Sequence, residues 1–314
     1  MTRFDHSLGR TLAVTVATAL LAACGGGGDG GPDPTGRLKL SVTDAPVDDA
    51  TAVWVQFSAV EFKPEGAAPV LETLAAKQTV DLLALRDGRA AVLVNDVVLP
   101  AGRYEWIRLV VDNVPNVRDS YLMRTDGSEC ELIVPSGAES GLKMNRGFTL
   151  PAGGSLALTV DFDLRKSIHE PPGQHGMGTS CTQAYLMRPV LRLVQDSEVG
   201  AIAGTVDPLR FVGVPNCRPM VYVFADGTSP AGSTVPDDQD EFEPNPLVMA
   251  PPDPVSGAYR ASFLPAGNYT VAYSCSADNM MSDDTATFVF APDKKAAVVQ
   301  PNLITPVNFP VLAP

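Results

Sequence analysis

Histidine, tryptophan and positive charge are all scarce in this chain of 314 residues. It holds 3 histidines, 2 tryptophans and 23 lysines plus arginines against 36 aspartates plus glutamates, so its net charge is −13. Nucleic-acid binding depends on clustered cations that displace counterions from phosphates, so this balance argues against a nucleic-acid partner. It argues equally against a polybasic membrane patch. The P-loop and the G-x-S-x-G nucleophile motif are also absent from the sequence.

The composition favours a folded chain rich in strands. Apolar residues make up 45% of the sequence and charged residues 19%, which is enough to bury a sizeable core. The 27 glycines and 28 prolines disfavour long helices and suit short strands joined by tight turns. The length predicts about two domains.

The N-terminal residues 1–23 have the pattern of a lipoprotein signal peptide. A positively charged start is followed by an uncharged, largely apolar run from Thr11 to Leu21, which is too short to cross a bilayer as a helix. The run ends in Leu21-Ala22-Ala23-Cys24, which resembles a bacterial lipobox. The resemblance implies cleavage before Cys24, acylation of that residue and stable anchoring by the lipid chains. Gly25 is not the aspartate associated with inner-membrane retention, so the outer membrane is expected in a Gram-negative cell.

Residues 24–35 combine the lipidated Cys24 with a glycine-rich segment. Glycine tracts lose too much backbone entropy to become ordered, so this segment is predicted to be a flexible tether. Ten such residues span about 17 Å, which is enough to hold a folded body away from the lipid headgroups.

The cysteine count supports export. With Cys24 assigned to lipid, four cysteines remain: Cys130, Cys181, Cys217 and Cys275. An even number in an exported chain suggests two disulfides, for which three pairings are possible. The domain division given below favours Cys130–Cys181 and Cys217–Cys275, because each bond then lies within one domain. A structural zinc site is the less favoured alternative, since no pair has C-x-x-C spacing.

Apolar and polar residues alternate with a period of two through much of the chain. The clearest example runs from Leu156 to Phe162, and others run from Arg37 to Val42 and from Tyr104 to Val111. Such alternation predicts half-buried strands of a sandwich or barrel. The only predicted helical stretch is short, around Val80 to Leu85.

A four-residue repeat precedes three of the predicted strands. Leu-Pro-Ala-Gly occurs at residues 99–102, 150–153 and 264–267. Proline fixes φ and glycine permits positive φ, so each copy is predicted to form a turn that starts a strand. The third copy continues into Tyr269 and is similar to the turn and strand of transthyretin-like and carboxypeptidase-regulatory-like sandwiches.

The predicted fold class is all-β, with two β-sandwich domains of the immunoglobulin or transthyretin type after the signal peptide and tether. The first domain covers residues 36–195 and the second 198–311, with the polar run Gln195–Glu198 at the boundary. Within the second domain, the acidic, proline-rich segment from Ser229 to Pro254 is predicted to be a long exposed loop.

The first domain resembles a family of bacterial lipoproteins, the domain-of-unknown-function 4382 family. This family has no established activity, and the carboxypeptidase-regulatory-like class is mostly accessory, so neither resemblance implies a catalytic residue. The residues that carry the first resemblance are Gly36, Thr43 to Pro46, Asp81 to Leu83, Pro100 to Tyr104, Pro135 to Gly137, Gly141 to Lys143, Asp161 to Asp163 and Arg188 to Val190.

Several motifs are weak candidates for chemistry. His169 and His175 could bind a metal, but their spacing is not H-E-x-x-H and the prolines between them preclude a helix. Ser140 to Lys143 spells the S-x-x-K of penicillin-recognising enzymes without their other elements. The acidic run from Asp237 to Glu243 lacks the spacing of a calcium loop, so a solubilising loop is favoured.

Three carboxylates form the best site hypothesis. Asp161 and Asp163 share one face of a predicted strand, and Asp44 lies at the end of another strand. If Asp44 lies near them across the sheet, the three would form a cation or sugar site. Trp54, Trp106, Tyr104 and Tyr121 are a possible aromatic platform for carbohydrate, although burial in the core is the default for such residues.

The sequence therefore predicts a non-enzymatic binding or scaffolding module of the bacterial cell envelope, without a cofactor. Its expected partners are the membrane, through the lipid anchor, and an envelope polysaccharide or a protein. Two alternatives remain open: a glycan hydrolase that uses the paired carboxylates, and a surface protein that binds divalent cations.

Overall fold

The structure is a computed structural model that describes residues 34–45, 50–112, 117, 119–134, 141–169, 181, 184–226, 234–236, 246–276 and 287–311. The predicted signal peptide, Cys24 and nearly all of the tether lie outside the described residues. So do His175, Ser140 and the acidic run from Asp237 to Glu243.

The first part of the chain folds into two sheets. The smaller sheet has the strand order β13-β10-β1-β4, and the larger sheet contains the path β11-β12-β7-β6-β2-β5-β8 with β3 added to β2 and β9 added to β5. The strands are β1 (Thr35–Ala45), β2 (Ala50–Pro64), β3 (Val70–Asp81), β4 (Ala91–Pro100), β5 (Gly102–Val111), β6 (Tyr121–Arg124), β7 (Glu129–Ile133), β8 (Leu142–Met144), β9 (Phe148–Leu150), β10 (Ser155–Asp163), β11 (Ile168–His169), β12 (Tyr185–Met187) and β13 (Leu191–Gln195).

The two sheets pack face to face around one apolar core. Alternate residues of β1 and β10 point inward against the large sheet, and the rings of Phe57 on β2 and Phe162 on β10 lie 6.4 Å apart between the sheets. Burial of these apolar side chains is the main stabilising contribution to the sandwich.

Three of the four short helical segments in the described residues lie within the first sandwich or directly after its last strand. They are a 3-10 helix at Leu82–Leu85, the single-turn helix α1 (Leu164–Ser167) and a 3-10 helix at Asp196–Glu198; the fourth, also 3-10, is Pro208–Arg210. The predicted helix around Val80 to Leu85 therefore begins too early. Val80 and Asp81 are extended because β3 pairs with β2, where the Asp81 carboxylate accepts a hydrogen bond of 3.0 Å from the Val53 N–H.

The second part of the chain forms another sandwich. One sheet has the order β18-β14-β22, the facing sheet has the order β17-β15-β19-β21, and β16 pairs with β20. The strands are β14 (Val199–Thr205), β15 (Met220–Ala225), β16 (Thr234–Pro236), β17 (Val248–Ala250), β18 (Ala258–Pro265), β19 (Gly267–Ser274), β20 (Thr287–Val289), β21 (Lys295–Val299) and β22 (Ile304–Pro306). The two-sandwich, all-β prediction is confirmed.

The predicted exposed loop from Ser229 to Pro254 is wrong in two places. Thr234–Pro236 form β16, which pairs with β20. Val248, Met249 and Ala250 form β17, which pairs with β15 and is buried. This short apolar run gains more from pairing at the sheet edge than from exposure to solvent.

Both predicted disulfides are present. The Cα atoms of Cys130 and Cys181 lie 4.8 Å apart, and those of Cys217 and Cys275 lie 4.6 Å apart. Each bond stays within one sandwich, which is the pairing that the predicted domain division favoured.

The chain from Pro34 onward forms one compact unit, although no described strand is shared between the two sandwiches. The 3-10 helix Asp196–Glu198 connects them, and the domain boundaries at residues 195 and 198 stay predictions. None of the described helices is long and apolar enough to span a bilayer.

Two copies of the Leu-Pro-Ala-Gly turn are closed by a tyrosine four residues after the proline. The Tyr104 hydroxyl donates to the Pro100 carbonyl at 2.8 Å, and the Tyr269 hydroxyl donates to the Pro265 carbonyl at 2.7 Å. Tyr104 is fully buried and stacks on Phe148 with ring centroids 4.8 Å apart, and burial raises the pKa of its hydroxyl. Each tyrosine thus fixes its turn to the strand that follows.

We expect Tyr104→Phe to lower the free energy of unfolding by about 1 kcal/mol, because the partly buried hydrogen bond to the Pro100 carbonyl is lost. Urea denaturation of the folded body measures this loss. Tyr121→Phe is the matched control, since no described residue accepts from its hydroxyl, and it should change stability by less than about 0.5 kcal/mol. Equal effects of the two substitutions would contradict a role for the hydroxyl.

Candidate functional site

The predicted three-carboxylate site lies at the ends of β1 and β10. These strands are parallel neighbours, so their last residues meet at the same edge of the sheet. Asp161 and Asp163 are in register with Thr43 and Ala45, whereas Asp44 is in register with Phe162. Since successive side chains of a strand point to opposite faces, Asp44 lies on the core face and the other two lie on the outer face.

Asp161 is held by an arginine of the neighbouring strand. Arg192 stands opposite it on β13, and both Nη2 and Nε of Arg192 donate to Asp161 Oδ2, the latter at 3.2 Å. Burial raises the pKa of Asp161, and the Arg192 charge opposes that shift. The Asp161 carboxylate therefore serves to join β10 to β13.

Asp163 has a different structural role. Its carboxylate accepts from the Lys166 backbone N–H at 3.3 Å and caps the N-terminus of α1. Lys166 Nζ lies 3.6 Å from the same carboxylate. Capping by aspartate stabilises a helix start, so the sheet end and α1 together account for this residue.

Asp44 is 7% exposed and, with Asp161, lines a cavity of about 20 Å³. A space of that size holds about one water molecule and cannot admit a sugar ring. Within the described ranges, no three His, Cys, Asp or Glu side chains lie together as metal ligands. The structure does not bring Asp44 onto the face that carries Asp161 and Asp163.

The four predicted platform aromatics are separated. Tyr104 is buried, whereas Trp54 stacks on Tyr121 with ring centroids 6.1 Å apart. Trp106 instead lies under the Lys143 ammonium group, 4.3 Å from its ring centroid. Trp54 is on β2 itself and Trp106 pairs with Lys63, nine residues further along β2, or roughly 30 Å away. No common platform for carbohydrate results from these positions.

A larger open concavity lies instead where the two sandwiches meet. It consists of two adjoining cavities of about 380 and 320 Å³ that share Arg146, Val194, Gln195 and Glu198. Pro265, Ala266 and Pro301 of the second sandwich close one end, and Phe148 and Thr149 of the first close the other. We call this concavity the hinge groove.

Polar side chains in the hinge groove are fixed by neighbouring groups. Arg146 Nη1 donates to the Leu193 carbonyl at 2.6 Å, and Gln195 Nε2 donates to Ser197 Oγ at 2.8 Å. Glu198 faces the same space, and no described cation lies within ion-pairing distance of it. Sequence reasoning identified Gln195–Glu198 only as a boundary; its clustered polar residues were the one available signal of this site.

Comparison with solved structures gives only distant similarities. The Bacillus anthracis TIE protein is 12% identical with a TM-score of 0.21, and the match covers 88% of this chain but 34% of that one. GBS52, the minor pilin of Streptococcus agalactiae, is 9% identical with a TM-score of 0.21, covering 88% and 97% of the two chains. BcpA, the major pilin subunit of Bacillus cereus, is 10% identical with a TM-score of 0.19, covering 88% and 99%. At such TM-scores these similarities carry no argument about function.

Sequence comparison is more specific for the first sandwich. No curated protein sequence matches the chain. Residues 35–182, which hold strands β1 to β11, match the model of a family described as a domain of unknown function, DUF4382.

Proposed function

We propose that this protein is a lipid-anchored, non-enzymatic binding module of the bacterial cell envelope, and that its ligand is an envelope polysaccharide. The observation that carries the proposal is the hinge groove, an open concavity with a mixed polar and apolar lining between the two sandwiches. Ligand sites commonly occupy domain junctions and have volumes of about 300–1,000 Å³, the range in which this groove falls.

The chemistry of the groove suits a saccharide. Arg146 supplies planar donors, Glu198 supplies acceptors and Gln195 supplies both, which matches the mixed donor and acceptor character of sugar hydroxyls. Phe148 and Pro265 add apolar surface for the ring faces. Because Arg146 and Gln195 are already hydrogen-bonded to the protein, little side-chain freedom would be lost on binding.

Catalysis by the paired carboxylates is less well supported. Glycoside hydrolysis needs one carboxyl group to donate a proton and another to act on the sugar ring or on water. Asp161 is bound to Arg192, Asp163 caps α1, and the cavity beside Asp161 has room for about one water. Binding without turnover is therefore the function proposed.

The proposed membrane location is based on the N-terminal sequence. We infer that Cys24, at the end of Leu21-Ala22-Ala23-Cys24, is acylated, that the following glycines are a tether, and that the protein is in the outer membrane. The two disulfides support an oxidising compartment outside the cytosol. The second sandwich is proposed to be a carboxypeptidase-regulatory-like accessory domain.

The anchor is tested by Cys24→Ser. Wild-type protein should sediment with the membrane fraction and have the mass of an acylated N-terminal cysteine, whereas the variant should be released because no acyl chain can be attached. Gly27→Ser, which alters the tether but keeps the cysteine, should still sediment with the membrane. An unmodified N-terminus in the membrane fraction would contradict the anchor.

The groove is tested by titrating the mature chain carrying Cys24→Ser with muropeptides and lipopolysaccharide-derived oligosaccharides. Wild type should bind at least one of these glycans, and Arg146→Gln and Glu198→Gln should each weaken that binding about tenfold, as expected for loss of a hydrogen bond to a charged group. Arg103→Gln is the control, because Arg103 pairs with Glu65 on an exposed surface of the first sandwich. Absence of glycan binding, or unchanged binding by both groove variants, would contradict the proposal.

A further inference from the structure

A second cleft lies over the outer face of β14 and β18, next to the hinge groove, with which it shares Val199. Its volume is about 300 Å³, and Arg260 is the only charged residue that lines it. Gly88 of the first sandwich and Ser262, Phe263, Leu303 and Ile304 of the second also border the space. We call it the Arg260 cleft.

The guanidinium of Arg260 has a fixed position and forms no ion pair with a described residue, although it also borders the small cavity that Asp44, Asp87 and Asp161 line. Its Nε donates to Ser262 Oγ at 2.9 Å, which holds the guanidinium on the outer face of β18. In the described part of the chain, neither terminal nitrogen has an acceptor and no carboxylate lies within ion-pairing distance. This is unusual in a protein with a net charge of −13, where acidic partners are abundant.

The backbone beside Arg260 is strained. Phe263 has a φ of +57°, in the left-handed region that an aromatic residue rarely adopts. It lies in a β-bulge, because Ser262 and Phe263 together stand opposite the single residue Ala201. Bulges redirect side chains next to functional sites, and strain of this kind is retained where the local geometry is needed.

The first sandwich covers one side of the cleft. Gly88 has a φ of +83°, and a Cβ placed on it would lie 2.6 Å from Ser262 Oγ and 3.0 Å from Arg260 Nε. The turn at Gly88 therefore packs its bare backbone directly on the Arg260–Ser262 pair. It partly removes the guanidinium from bulk solvent, which strengthens the attraction of that group for an anion.

The remaining wall is open and combines Asn302 with two aliphatic residues. Leu303 is 54% exposed and Ile304 is 53% exposed, and both side chains border the cleft. A single guanidinium can form two parallel hydrogen bonds with a carboxylate, and an exposed aliphatic wall favours an apolar group beside it. From this geometry we propose that the Arg260 cleft binds a small carboxylate that carries an apolar group.

The test uses 3-phenylpropionate and its uncharged analogue 3-phenylpropionamide, titrated by calorimetry into the mature chain carrying Cys24→Ser. The wild-type chain should bind the carboxylate at least tenfold more tightly than the amide. Arg260→Gln should weaken carboxylate binding by about tenfold to hundredfold and remove the preference over the amide. Arg260→Lys, which keeps the charge without the planar fork, should fall between the two.

Three controls make the result specific. Arg146→Gln alters only the hinge groove, so it should leave 3-phenylpropionate binding unchanged, whether or not the groove binds a glycan. Arg103→Gln removes an exposed arginine from the first sandwich and should also have no effect. Inorganic phosphate should bind more weakly than 3-phenylpropionate, because it makes no use of the apolar wall.

Three outcomes would overturn the proposal: no binding of the carboxylate at millimolar concentration, equal binding of acid and amide, or unchanged affinity in Arg260→Gln. Phosphate binding as tight as that of the carboxylate would also overturn it, since the cleft would then be a plain anion site. If Arg260→Gln does not fold, Arg260→Lys is the deciding variant. Wild-type affinity for 3-phenylpropionate in Arg260→Lys would show that the carboxylate is not bound by the planar guanidinium, and would overturn the proposal.

Discussion

The close contact between the turn at Gly88 and the outer face of β18 is the constraint on which the rest of the structure depends. The sandwiches share no described strand, yet the chain from Pro34 onward is one compact unit. At Gly88 the backbone lies so close to β18 that a single Cβ atom would overlap Ser262 Oγ, at 2.6 Å, and make a tight contact of 3.0 Å with Arg260 Nε. Where the two sandwiches pack against each other, clefts remain beside the contact. The hinge groove and the Arg260 cleft are two such clefts, each lined by residues of both sandwiches.

The acidic residues that first suggest chemistry are used instead to build the fold. Asp161 ties β10 to β13 through Arg192, and Asp163 begins α1. Burying a carboxylate without such a partner would cost free energy of folding. The contacts with Arg192 and α1 therefore allow these acidic side chains to be packed closely on the outer face of the sheet. Arg260 differs, because it forms no ion pair with a described residue, although it borders the small cavity that Asp44 and Asp161 also line. The charges of Asp161 and Asp163 therefore serve the fold, whereas the charge of Arg260 is the one proposed to bind a ligand.

Much of the fold could be predicted because its signals are local. Alternation with a period of two indicates strands wherever one face is buried, and an even number of cysteines in an exported chain predicts the disulfides. The face of Asp44 could not be predicted, since it depends on the register between β1 and β10, which are more than a hundred residues apart. The hinge groove was missed for the same reason, because Arg146 and Pro301 meet only after both sandwiches have folded. The positive φ of Phe263 is a backbone conformation that phenylalanine disfavours, so nothing in the sequence predicts it.

The contact at Gly88 is expected to join the two sandwiches into one cooperative body. Scanning calorimetry of Gly88→Val beside Gly127→Val tests it most directly, because both glycines have a φ of +83° and only Gly88 has neighbours within reach of a Cβ. Wild type and Gly127→Val should unfold in a single transition, the latter at a lower temperature because of backbone strain. Gly88→Val should separate the sandwiches and unfold in two transitions. A single transition in Gly88→Val, at the same temperature as in Gly127→Val, would contradict this role of the Gly88 contact.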